Sequence, residues 1–455
     1  MTSGGDSGLS LFTDLYQLTM VETYLAEEMT AGAVFDLSIR TLPPTRNFLL
    51  MAGLADVVSY LEGLCFDAQQ LEYLASLGLF SQRLFDFLAD FRFQGSLHAV
   101  PDGSVVFAGE PLLQVVAPLP HAQLIETFVI NQIALQTMLA SKGARVVLAA
   151  GGRNVIDFGA RRTHGIDAGL KAARTLYMAG FDATSNVQAG QRYGVPVAGT
   201  MAHSFVQAHD SELDALRAFT RRYPSGTLLV DTYDTVRGVE NVVRLARELG
   251  DDFQVGGIRL DSGDLAELSR RARSILDEAG LEVVQIFASG GLDEYGIDEL
   301  LAAGSPIDGF GVGTNVGTSA DAPTLECVYK LASYDGSGRL KVSPDKVTLP
   351  HRKQVFRDSA QGTIRGDVVT LAGETSAGQP LLQPIIDCGT PTTDVDLSLA
   401  ANRERAAQSI AALPNALRAR SSASPYPVEV SPALQAEAER ITAEQLERNT
   451  VERHP

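Results

Sequence analysis

The sequence predicts an α/β protein: an irregular (β/α) barrel of about six or seven strands, plus an α+β lobe formed by the N-terminal and C-terminal segments. Between residues 228 and 314, four apolar runs recur with helical patterns between them. Each run is short and unalternated, which is typical of a strand buried on both faces. Each also ends in polar or glycine-rich residues, and such ends of parallel strands share one rim. The runs are LLVDTYD (228–234), VGGIRLDSGD (255–264), VVQIFASGG (283–291) and IDGFGVGT (307–314).

Two earlier runs extend this pattern toward the N-terminus. NVIDFG (154–159) and VPVAGT (195–200) are strand candidates, each followed by a helical pattern. The total is too small for a regular eight-stranded barrel. A closed but irregular barrel is favoured over an open doubly wound sheet, because signature residues follow nearly every strand, whereas an open sheet binds at one switch point.

The flanking segments lack this rhythm and predict a separate lobe. A helix is expected after Asp14, then a strand, helices and short strands, with a long apolar helix from His121 to Ala150. After about residue 330, hairpins are expected to return to the first lobe, and two amphipathic helices follow in the tail. The predicted divisions are 1–125 for the N-terminal lobe, 126–335 for the (β/α) barrel and 336–455 for the C-terminal segment.

Bulk composition excludes several classes of partner. The chain has 455 residues, 45% of them hydrophobic, and a formal net charge of -18, which argues against nucleic acid or an anionic membrane. No run has the length of a membrane span, and the opening MTSGGDSGLSLFTD lacks the layout of a signal peptide, so we expect a cytoplasmic protein. Three scattered cysteines exclude a Cys-only zinc site and argue against a disulfide framework.

One local basic cluster departs from the acidic average. It could be a solvated face, but its apolar context, VVLAAGGRNVIDFGARR, favours an anion pocket. The roles of two of its members, Lys142 and Arg145, stay open, as do those of His351, Arg352 and Lys353. The cluster comprises Lys142, Arg145, Arg153, Arg161 and Arg162.

Glycine-rich ends follow the last two strands of the predicted barrel. Loops in this position commonly bind a phosphate through backbone N–H groups, with glycine permitting close approach. Tight turns alone are the other interpretation, which the repetition at two successive strands disfavours. The residues are Ser289, Gly290, Gly291, Gly313 and Thr314.

Acidic residues end the two preceding strands. Asp231 and Asp261 suit ribose hydroxyls or a hydrated Mg²⁺ ion, which prefers one or two carboxylates with waters and phosphate oxygens. For Asp234 and Asp264 helix capping is an equal alternative, because each precedes a helix. His203 follows VPVAG at the same rim. A lone histidine is more often structural, but its position at this rim favours a functional role. The spacing between His203 and His209 does not match a zinc site.

Taken together, the chain resembles the nicotinate phosphoribosyltransferases of the type II phosphoribosyltransferase group. The motifs that carry the resemblance are collinear and span most of the chain. They are TDLYQLTM, RTLPPTRNFLLMAGL, GEPLLQV, DFGARR, TSNV, GTMAHSF, VDTYDT, RLDSGDL, ASGGLDE, FGVGT and PHRKQVFRD, with weaker similarity in SPYPVEVSPAL.

The resemblance implies an ATP-coupled, ligase-type pentosyl transfer in NAD salvage. Nicotinate, 5-phosphoribosyl 1-pyrophosphate, ATP and water would give nicotinate mononucleotide, pyrophosphate, ADP and phosphate, with Mg²⁺ as cofactor and ATP as co-substrate. It also implies a homodimer with shared active sites, in which the N-terminal motif of one chain, with Asp14 and Tyr16, completes the site of the other.

The resemblance further implies a role for each rim residue. His203 would be phosphorylated by ATP, and Asp231 and Asp261 would hold ribose hydroxyls and Mg²⁺ through water. The glycine-rich ends would bind the 5-phosphate. Nicotinate would stack between Phe158 and the partner's Tyr16, its carboxylate held by Arg161, with Arg259 as a second candidate. Ser185 replaces an aspartate of the nicotinamide enzyme and so favours the acid.

Three other interpretations stay open at this point. The same fold could act on nicotinamide, or on quinolinate with decarboxylation. A catalytically silent sensor of ribosyl pyrophosphate would have degenerate catalytic positions, whereas Asp231, Asp261 and His203 are all present. A sugar-phosphate lyase or isomerase would explain the phosphate loops and acids but not DFGARR or TDLYQ.

Overall fold

The computed structural model of the chain describes residues 8–342 and 348–451. These residues form two compact units. The first holds the described residues through Met138 together with those from Thr324 onward, and the second is Leu139–Pro323. The N-terminal segment that lacks a signal-peptide layout lies partly outside the described residues, as does the middle of the first expected C-terminal hairpin.

The unit boundaries differ from those expected at 125/126 and 335/336. The first falls inside a continuous helix, Glu126–Ala150, and the second falls just before a strand, Cys327–Tyr334, that pairs within the first unit. Neither boundary coincides with a change of composition, so the sequence could not locate it.

The N-terminal part of the first unit alternates strands with short helices, as the sequence predicts. The expected helix from His121 to Ala150 is wrong in one respect: helical bonding is interrupted at Ile125, whose N–H donates to the carbonyl of Gln123. The elements are strands β1 (Gly32–Ile39), β2 (Leu49–Leu50), β3 (Ser96–Ala99), β4 (Val105–Val106) and β5 (Pro111–Pro118), and helices α1 (Leu15–Ala26), α2 (Leu54–Gly63), α3 (Ala68–Ser76), α4 (Gln82–Ala89), α5 (Leu119–Leu124) and α6 (Glu126–Ala150).

The second unit has the strand–helix rhythm expected of a (β/α) protein. Its strands are short and their central apolar side chains are fully buried. The elements are strands β6 (Asn154–Asp157), β7 (Ala183–Thr184), β8 (Thr227–Leu229), β9 (Gly257–Leu260), β10 (Gln285–Ala288) and β11 (Gly309–Val312), and helices α7 (Ile166–Met178), α8 (Val187–Tyr193), α9 (His203–Gln207), α10 (Glu212–Arg222), α11 (Thr235–Leu249), α12 (Leu265–Glu278), α13 (Glu294–Ala302) and α14 (Thr314–Gly317).

The C-terminal elements belong to the first unit. They include the expected hairpin, whose turn at Gln361 and Gly362 has positive φ angles, and the two tail helices. The elements are strands β12 (Cys327–Tyr334), β13 (Ser337–Gly338), β14 (Lys353–Ala360), β15 (Thr363–Leu371), β16 (Gln379–Pro380), β17 (Gln383–Asp387), β18 (Thr390–Pro391) and β19 (Val428–Val430), and helices α15 (Leu399–Ala411), α16 (Asn415–Arg418) and α17 (Pro432–Val451).

Strands from both ends of the chain share the main sheet of the first unit. Its order is β13-β12-β1-β5-β3-β17-β18, with β1 antiparallel to both β12 and β5. A second sheet, β16-β14-β15-β19, carries the long hairpin and one strand of the tail. Their buried side chains join one hydrophobic cluster, so the C-terminal segment is part of the core of this unit.

The second unit is built on one six-stranded parallel sheet of order β7-β6-β11-β10-β9-β8. The fold class predicted from the sequence is confirmed, as a sheet curled into a half-barrel. The prediction that the barrel is closed is wrong. VPVAGT forms only a parallel bridge between Thr184 and Val197, and in the described residues no ladder joins that bridge to β8. Pro196 lacks an N–H group, which limits this run as a strand.

Parallel pairing places the carboxyl ends of all six strands at one edge of the sheet. The register sets Asp157 of β6 beside Val312 of β11, and Ala288 of β10 beside Leu260 of β9. The polar residues that follow these positions therefore meet at one rim, which we examine as the candidate site.

Candidate active site

Two carboxylates at the rim are joined by a defined hydrogen-bond network. Asp231 is 9% exposed, and its Oδ2 accepts from the backbone N–H of Asp261 at 2.9 Å and from the hydroxyl of Ser262 at 2.7 Å. Its Oδ1 is buried without a hydrogen-bond partner among the described residues. Asp261 Oδ1 accepts from the hydroxyl of Ser289 at 2.5 Å. The pair is held rigidly, with an acceptor left for a ligand.

His203 lies beside this acid pair, as its position in the sequence predicts. Its Nδ1 is 3.2 Å from the hydroxyl of Thr232, and its Nε2 is 3.6 Å from Asp261 Oδ2. The imidazole side chain is 41% exposed, so a ring nitrogen is accessible to a reactant. Thr232 was missed by the sequence analysis, although it stands inside the VDTYDT motif.

The two glycine-rich strand ends meet through a direct hydrogen bond. Asn315 donates its side-chain amide to the carbonyl of Gly291 at 2.7 Å, which ties the turn after β10 to the turn after β11. Gly290 has φ +94°, and a Cβ there would lie 2.0 Å from the carbonyl oxygen of Asp261. Only glycine allows this turn to approach the acid pair so closely.

The turns also present donors. In the described part of the chain, the N–H groups of Gly290, Gly291, Gly313 and Thr314 donate to no protein acceptor. Four free N–H groups at one rim form an arrangement that binds an anion, consistent with the phosphate interpretation.

An aromatic ring and a guanidinium group form a slot at the end of β6. The Cζ atom of Arg259 lies 5.8 Å from the ring centroid of Phe158, and the ring covers Gly311, where a Cβ would lie 2.4 Å from it. Burial lowers the pKa of Arg259, and the nearby charge of Arg161 lowers it further, while Asp261 opposes the shift. The Arg259 Nε atom is buried with no partner in the described residues.

Of the two arginines predicted to hold a carboxylate, Arg259 has a buried guanidinium nitrogen without a partner in the described residues. Arg161 is exposed on a 3-10 helix, Ala160–Arg162, directly after Phe158. Ser185 is half-buried near the same strand end, where its N–H donates to the carbonyl of Asp157 at 2.8 Å.

Asp157 is a central residue that the sequence analysis missed. Its Oδ1 accepts from the N–H of Gly159 and its Oδ2 from the hydroxyl of Thr184, both at 2.7 Å. Burial raises the pKa of the Asp157 carboxyl, and these two hydrogen bonds oppose that shift. The carboxylate fixes the backbone around Phe158 and Ser185, and its place at the start of DFGARR was the available signal.

The basic cluster predicted at 142–162 does not converge on an anion pocket. Lys142 Nζ lies 2.5 Å from Glu294 and 2.8 Å from Asp321, while Arg145 Nε lies 2.9 Å from Glu294. Arg153 Nε donates to the carbonyl of Ile307, at the amino edge of the sheet. Three of the five side chains are therefore committed to protein partners, which the sequence could not reveal because those partners lie 149 or more residues away along the chain.

Other charged candidates have structural contacts. Asp234 and Asp264 accept hydrogen bonds from Arg237 N–H and Glu267 N–H and cap α11 and α12, which supports the capping alternative. No described group of three or more His, Cys, Asp or Glu residues could hold a metal ion by itself. Asp231 and Asp261 fit a hydrated Mg²⁺, because Asp231 Oδ1 is an uncommitted acceptor.

The remaining candidates lie in the first unit. Asp14 precedes α1 and accepts from the hydroxyl of Thr127 at 2.8 Å, and the Tyr16 side chain is 48% exposed. Burial and the charge of Glu126 raise the pKa of Tyr16.

The His351–Lys353 group is also in the first unit, and its members have protein partners. His351 Nε2 lies 2.8 Å from Glu437, and Lys353 Nζ lies 2.7 Å from Asp36. Arg352 is 2.6 Å from a ring nitrogen of His98.

Free N–H groups beside an acid pair suit a ligand with a phosphate group, and sequence comparisons identify the class of protein. The model of the nicotinate phosphoribosyltransferase (NAPRTase) N-terminal domain matches residues 11–134, and that of the nicotinate phosphoribosyltransferase family matches residues 154–350. A nicotinate phosphoribosyltransferase of Mycobacterium tuberculosis is 53% identical over 447 residues, 98% of this chain and 96% of the relative. One of Bacillus subtilis is 42% identical over 83% of this chain and 79% of the relative.

Solved structures agree with this result. Human nicotinic acid phosphoribosyltransferase matches with a TM-score of 0.85 and 30% identity, covering 94% of this chain and 99% of the human one. A nicotinate-nucleotide pyrophosphorylase from Pyrococcus furiosus has a TM-score of 0.73 at 22% identity, covering 90% and 96% of the two chains, and so shares the fold. The chain belongs to the nicotinate phosphoribosyltransferase family, which confirms the resemblance seen in the motifs. Among the described helices, none is both long and apolar enough to cross a membrane.

Proposed function

We propose that this enzyme transfers the phosphoribosyl group of 5-phosphoribosyl 1-pyrophosphate to nicotinate in NAD salvage. The products are nicotinate mononucleotide and pyrophosphate. The observation that carries the proposal is the 53% identity with a nicotinate phosphoribosyltransferase over 98% of the chain. The rim of the second unit supplies chemistry for each part of the two substrates.

Nicotinate binds in the slot between Phe158 and Arg259 in this proposal. The pyridine ring stacks on Phe158, and the carboxylate receives charge-assisted hydrogen bonds from the partnerless Nε of Arg259. Arg161 adds positive charge from the exposed side. Ser185 places no negative charge near the acid, which suits nicotinate over nicotinamide. Tyr16 of the partner subunit would cover the other ring face in a homodimer.

The ribosyl pyrophosphate binds along the glycine turns and the acid pair. The free N–H groups of Gly290, Gly291, Gly313 and Thr314, with the nearby Ser289 hydroxyl, receive the 5-phosphate. Asp231 and Asp261 accept hydrogen bonds from ribose hydroxyls and hold Mg²⁺ through water. When bound, Mg²⁺ offsets the charge of the pyrophosphate.

The transfer needs no general base, because the pyridine nitrogen of nicotinate already has a free lone pair. The bond that forms joins this nitrogen to C1 of the ribose, and the bond that breaks joins C1 to the pyrophosphate oxygen, which leaves with the electron pair. The residues of the rim therefore act by positioning the two substrates and by stabilising charge.

We further propose that His203 couples ATP hydrolysis to the transfer. A ring nitrogen of His203 takes the terminal phosphoryl group of ATP and releases ADP, and water later hydrolyses the phosphohistidine to phosphate. The exposed imidazole beside Asp261 supports this role. The added charge of about -1.5 to -2, on the scale of other phosphorylated side chains, would reorganise the rim so that the ribosyl pyrophosphate binds tightly.

The proposal is tested by one assay with three bases. Nicotinate, nicotinamide and quinolinate are each incubated with 5-phosphoribosyl 1-pyrophosphate, Mg²⁺ and ATP, and mononucleotide and ADP are followed together. We expect product from nicotinate alone, with ADP formed alongside it. Preference for either other base would refute the substrate assignment, and product without ADP would refute the coupling.

His203→Ala tests the coupling residue. We expect ATP turnover to be abolished, while some uncoupled transfer persists at high substrate concentration. His209→Ala is the matched control, since His209 lies on the same segment with its Nδ1 2.8 Å from the carbonyl of Phe205 and should leave ATP turnover intact. Undiminished ATP hydrolysis in His203→Ala would remove this residue from the role.

A further inference from the structure

A cluster of four charged side chains, three of them buried, includes two carboxylates that follow the two glycine turns along the chain. Lys142 and Arg145 of α6 are 0% and 2% exposed, and Glu294 at the start of α13 is 0% exposed. Lys142 Nζ lies 2.5 Å from Glu294 Oε2 and 2.8 Å from Asp321 Oδ1. Arg145 Nε lies 2.9 Å from Glu294 Oε1, and its Nη2 donates to the hydroxyl of Tyr295 at 3.1 Å.

The two acidic members are attached to the two turns by short lengths of chain. Glu294 follows Gly291 by three residues, and Asp321 follows Thr314 by seven, with only the single helical turn of α14 and a short loop between. Lys142 therefore contacts one carboxylate downstream of each turn. Together with the hydrogen bond from Asn315 to Gly291, this makes two separate ties between the ends of β10 and β11.

Stability alone does not explain such a cluster. Moving charged groups out of water is costly, and well-packed apolar side chains of similar volume often stabilise a protein equally well or better. What an ion cluster adds is geometric definition, because each charged group must keep its partners within hydrogen-bond distance. Here the geometry that is defined is the separation of two anion-binding turns.

We infer that Lys142, Arg145, Glu294 and Asp321 are positioning residues that set the spacing of the two glycine turns for the 5-phosphate of the ribosyl pyrophosphate. This inference rests on the proposed function. The cluster touches no substrate; it acts through the free N–H groups of Gly290, Gly291, Gly313 and Thr314. Its loss should weaken binding of the ribosyl pyrophosphate and leave binding of nicotinate largely intact.

Asp321→Asn is the test variant, because the Asp321 side chain is 18% exposed and its change is the mildest in the cluster. Asp308→Asn is the matched control. Asp308 Oδ2 accepts from the N–H of Ile286 at 2.8 Å, and so braces the same two strands at their opposite, amino ends. Glu294→Gln, which removes the charge shared by Lys142 and Arg145, is a second and stronger variant.

The readouts separate the two substrates. We expect Asp321→Asn to raise KM for the ribosyl pyrophosphate by about tenfold, as a small misplacement of positioning groups does, with KM for nicotinate changed by less than about twofold. Asp308→Asn should lower the melting temperature without altering the ratio of the two KM values. Equilibrium dialysis of the ribosyl pyrophosphate with Mg²⁺ and ATP, but without nicotinate, should show the same loss of affinity.

The outcomes distinguish this inference from the proposed function. If Asp321→Asn and Asp308→Asn affect the ribosyl pyrophosphate equally, or if neither does, the positioning role is overturned. If the unmodified enzyme binds the ribosyl pyrophosphate and Asp321→Asn weakens that binding, but no nicotinate mononucleotide forms, the positioning role stands and the proposed function fails. If the unmodified enzyme binds no ribosyl pyrophosphate with Mg²⁺ and ATP present, both fail.

Discussion

The packing of the Phe158 ring against Gly311, and the placement of nicotinate on that ring, can be tested with Gly311→Ala. A Cβ on Gly311 would lie 2.4 Å and 2.5 Å from Cε2 and Cδ2 of that ring. Carbon atoms in contact lie about 3.5–4.0 Å apart, so the ring must move by roughly 1 Å. Gly311 lies inside β11 and does not have a positive φ, so alanine suits the backbone and the ring is what changes.

The magnitude follows from the geometry. A displacement of about 1 Å in a group that positions substrate costs up to about 10²-fold, so we expect KM for nicotinate to rise about 10- to 100-fold. Overpacking should lower the free energy of unfolding by about 1–3 kcal/mol. The next neighbour of that Cβ is Ser289 Cβ at 3.3 Å, which has to move far less than the ring, so KM for the ribosyl pyrophosphate should rise much less than KM for nicotinate.

Gly309→Ala is the control for this experiment. Gly309 lies two residues earlier on β11, and a Cβ there would meet a different ring, Phe287, at 2.6 Å. Steady-state kinetics with each substrate varied in turn, together with urea unfolding, compare the two variants. Both should lose stability, but only Gly311→Ala should raise KM for nicotinate. An equal rise in both variants, or in neither, would refute the placement of nicotinate on Phe158.

Two further predictions address the acid pair and a buried carboxyl. The asparagine of Asp231→Asn can still accept a hydrogen bond from the Asp261 N–H, so the free energy of unfolding should change by less than about 1 kcal/mol. The value of kcat/KM should fall roughly 10²–10³-fold, because the carboxylate charge is lost. An equal fall in kcat/KM for Asp234→Asn would contradict this. Burial, and then the charge of Asp367, raise the pKa of Glu110 well above its usual range. The stability it contributes is therefore fully present below its unfolded pKa and lost as pH rises through the folded pKa, at about 1.4 kcal/mol per pH unit. In urea unfolding measured from about pH 5 to about pH 9, Glu110→Gln should remove this loss of stability with rising pH. An unchanged dependence of the free energy of unfolding on pH would contradict the raised pKa of Glu110.

The rim of the second unit was predictable because parallel strands impose it. Once four buried strands were recognised, the residues that follow them had to share one edge. Asp231, Asp261, His203 and the glycine ends therefore meet as expected. Asp157 and Thr232 escaped notice because their roles depend on hydrogen bonds to neighbours, which a strand pattern does not reveal.

Charged residues were the least predictable part of the site. Lys142 and Arg145 stand near Arg161 in the sequence, and proximity suggested one basic pocket. The structure gives the first two carboxylate partners, Glu294 and Asp321, that lie far along the chain. Local sequence cannot distinguish a lysine that binds a substrate anion from one that binds a distant aspartate.

Several motif residues outside the rim hold the C-terminal tail in the first unit. Asn47 of the TRNF motif donates to the carbonyls of Ala419 and Ser421 at 2.9 Å and 3.0 Å. Arg357 of QVFRD forms a two-point contact with Asp367, and Tyr426 of the tail donates to the same carboxylate at 3.1 Å. These motifs mark architecture in this unit, which the resemblance alone did not separate from catalysis.

The central claim is that one rim of the parallel sheet binds both substrates, with the pyridine acid in the slot at the end of β6. A crystal structure with nicotinate mononucleotide tests it most directly. We predict the pyridine ring stacked on Phe158, its carboxylate contacting Arg259, and the phosphate at the turns of Gly290 and Gly313. A ring bound away from Phe158 and Arg259, or a phosphate away from those turns, would contradict the account.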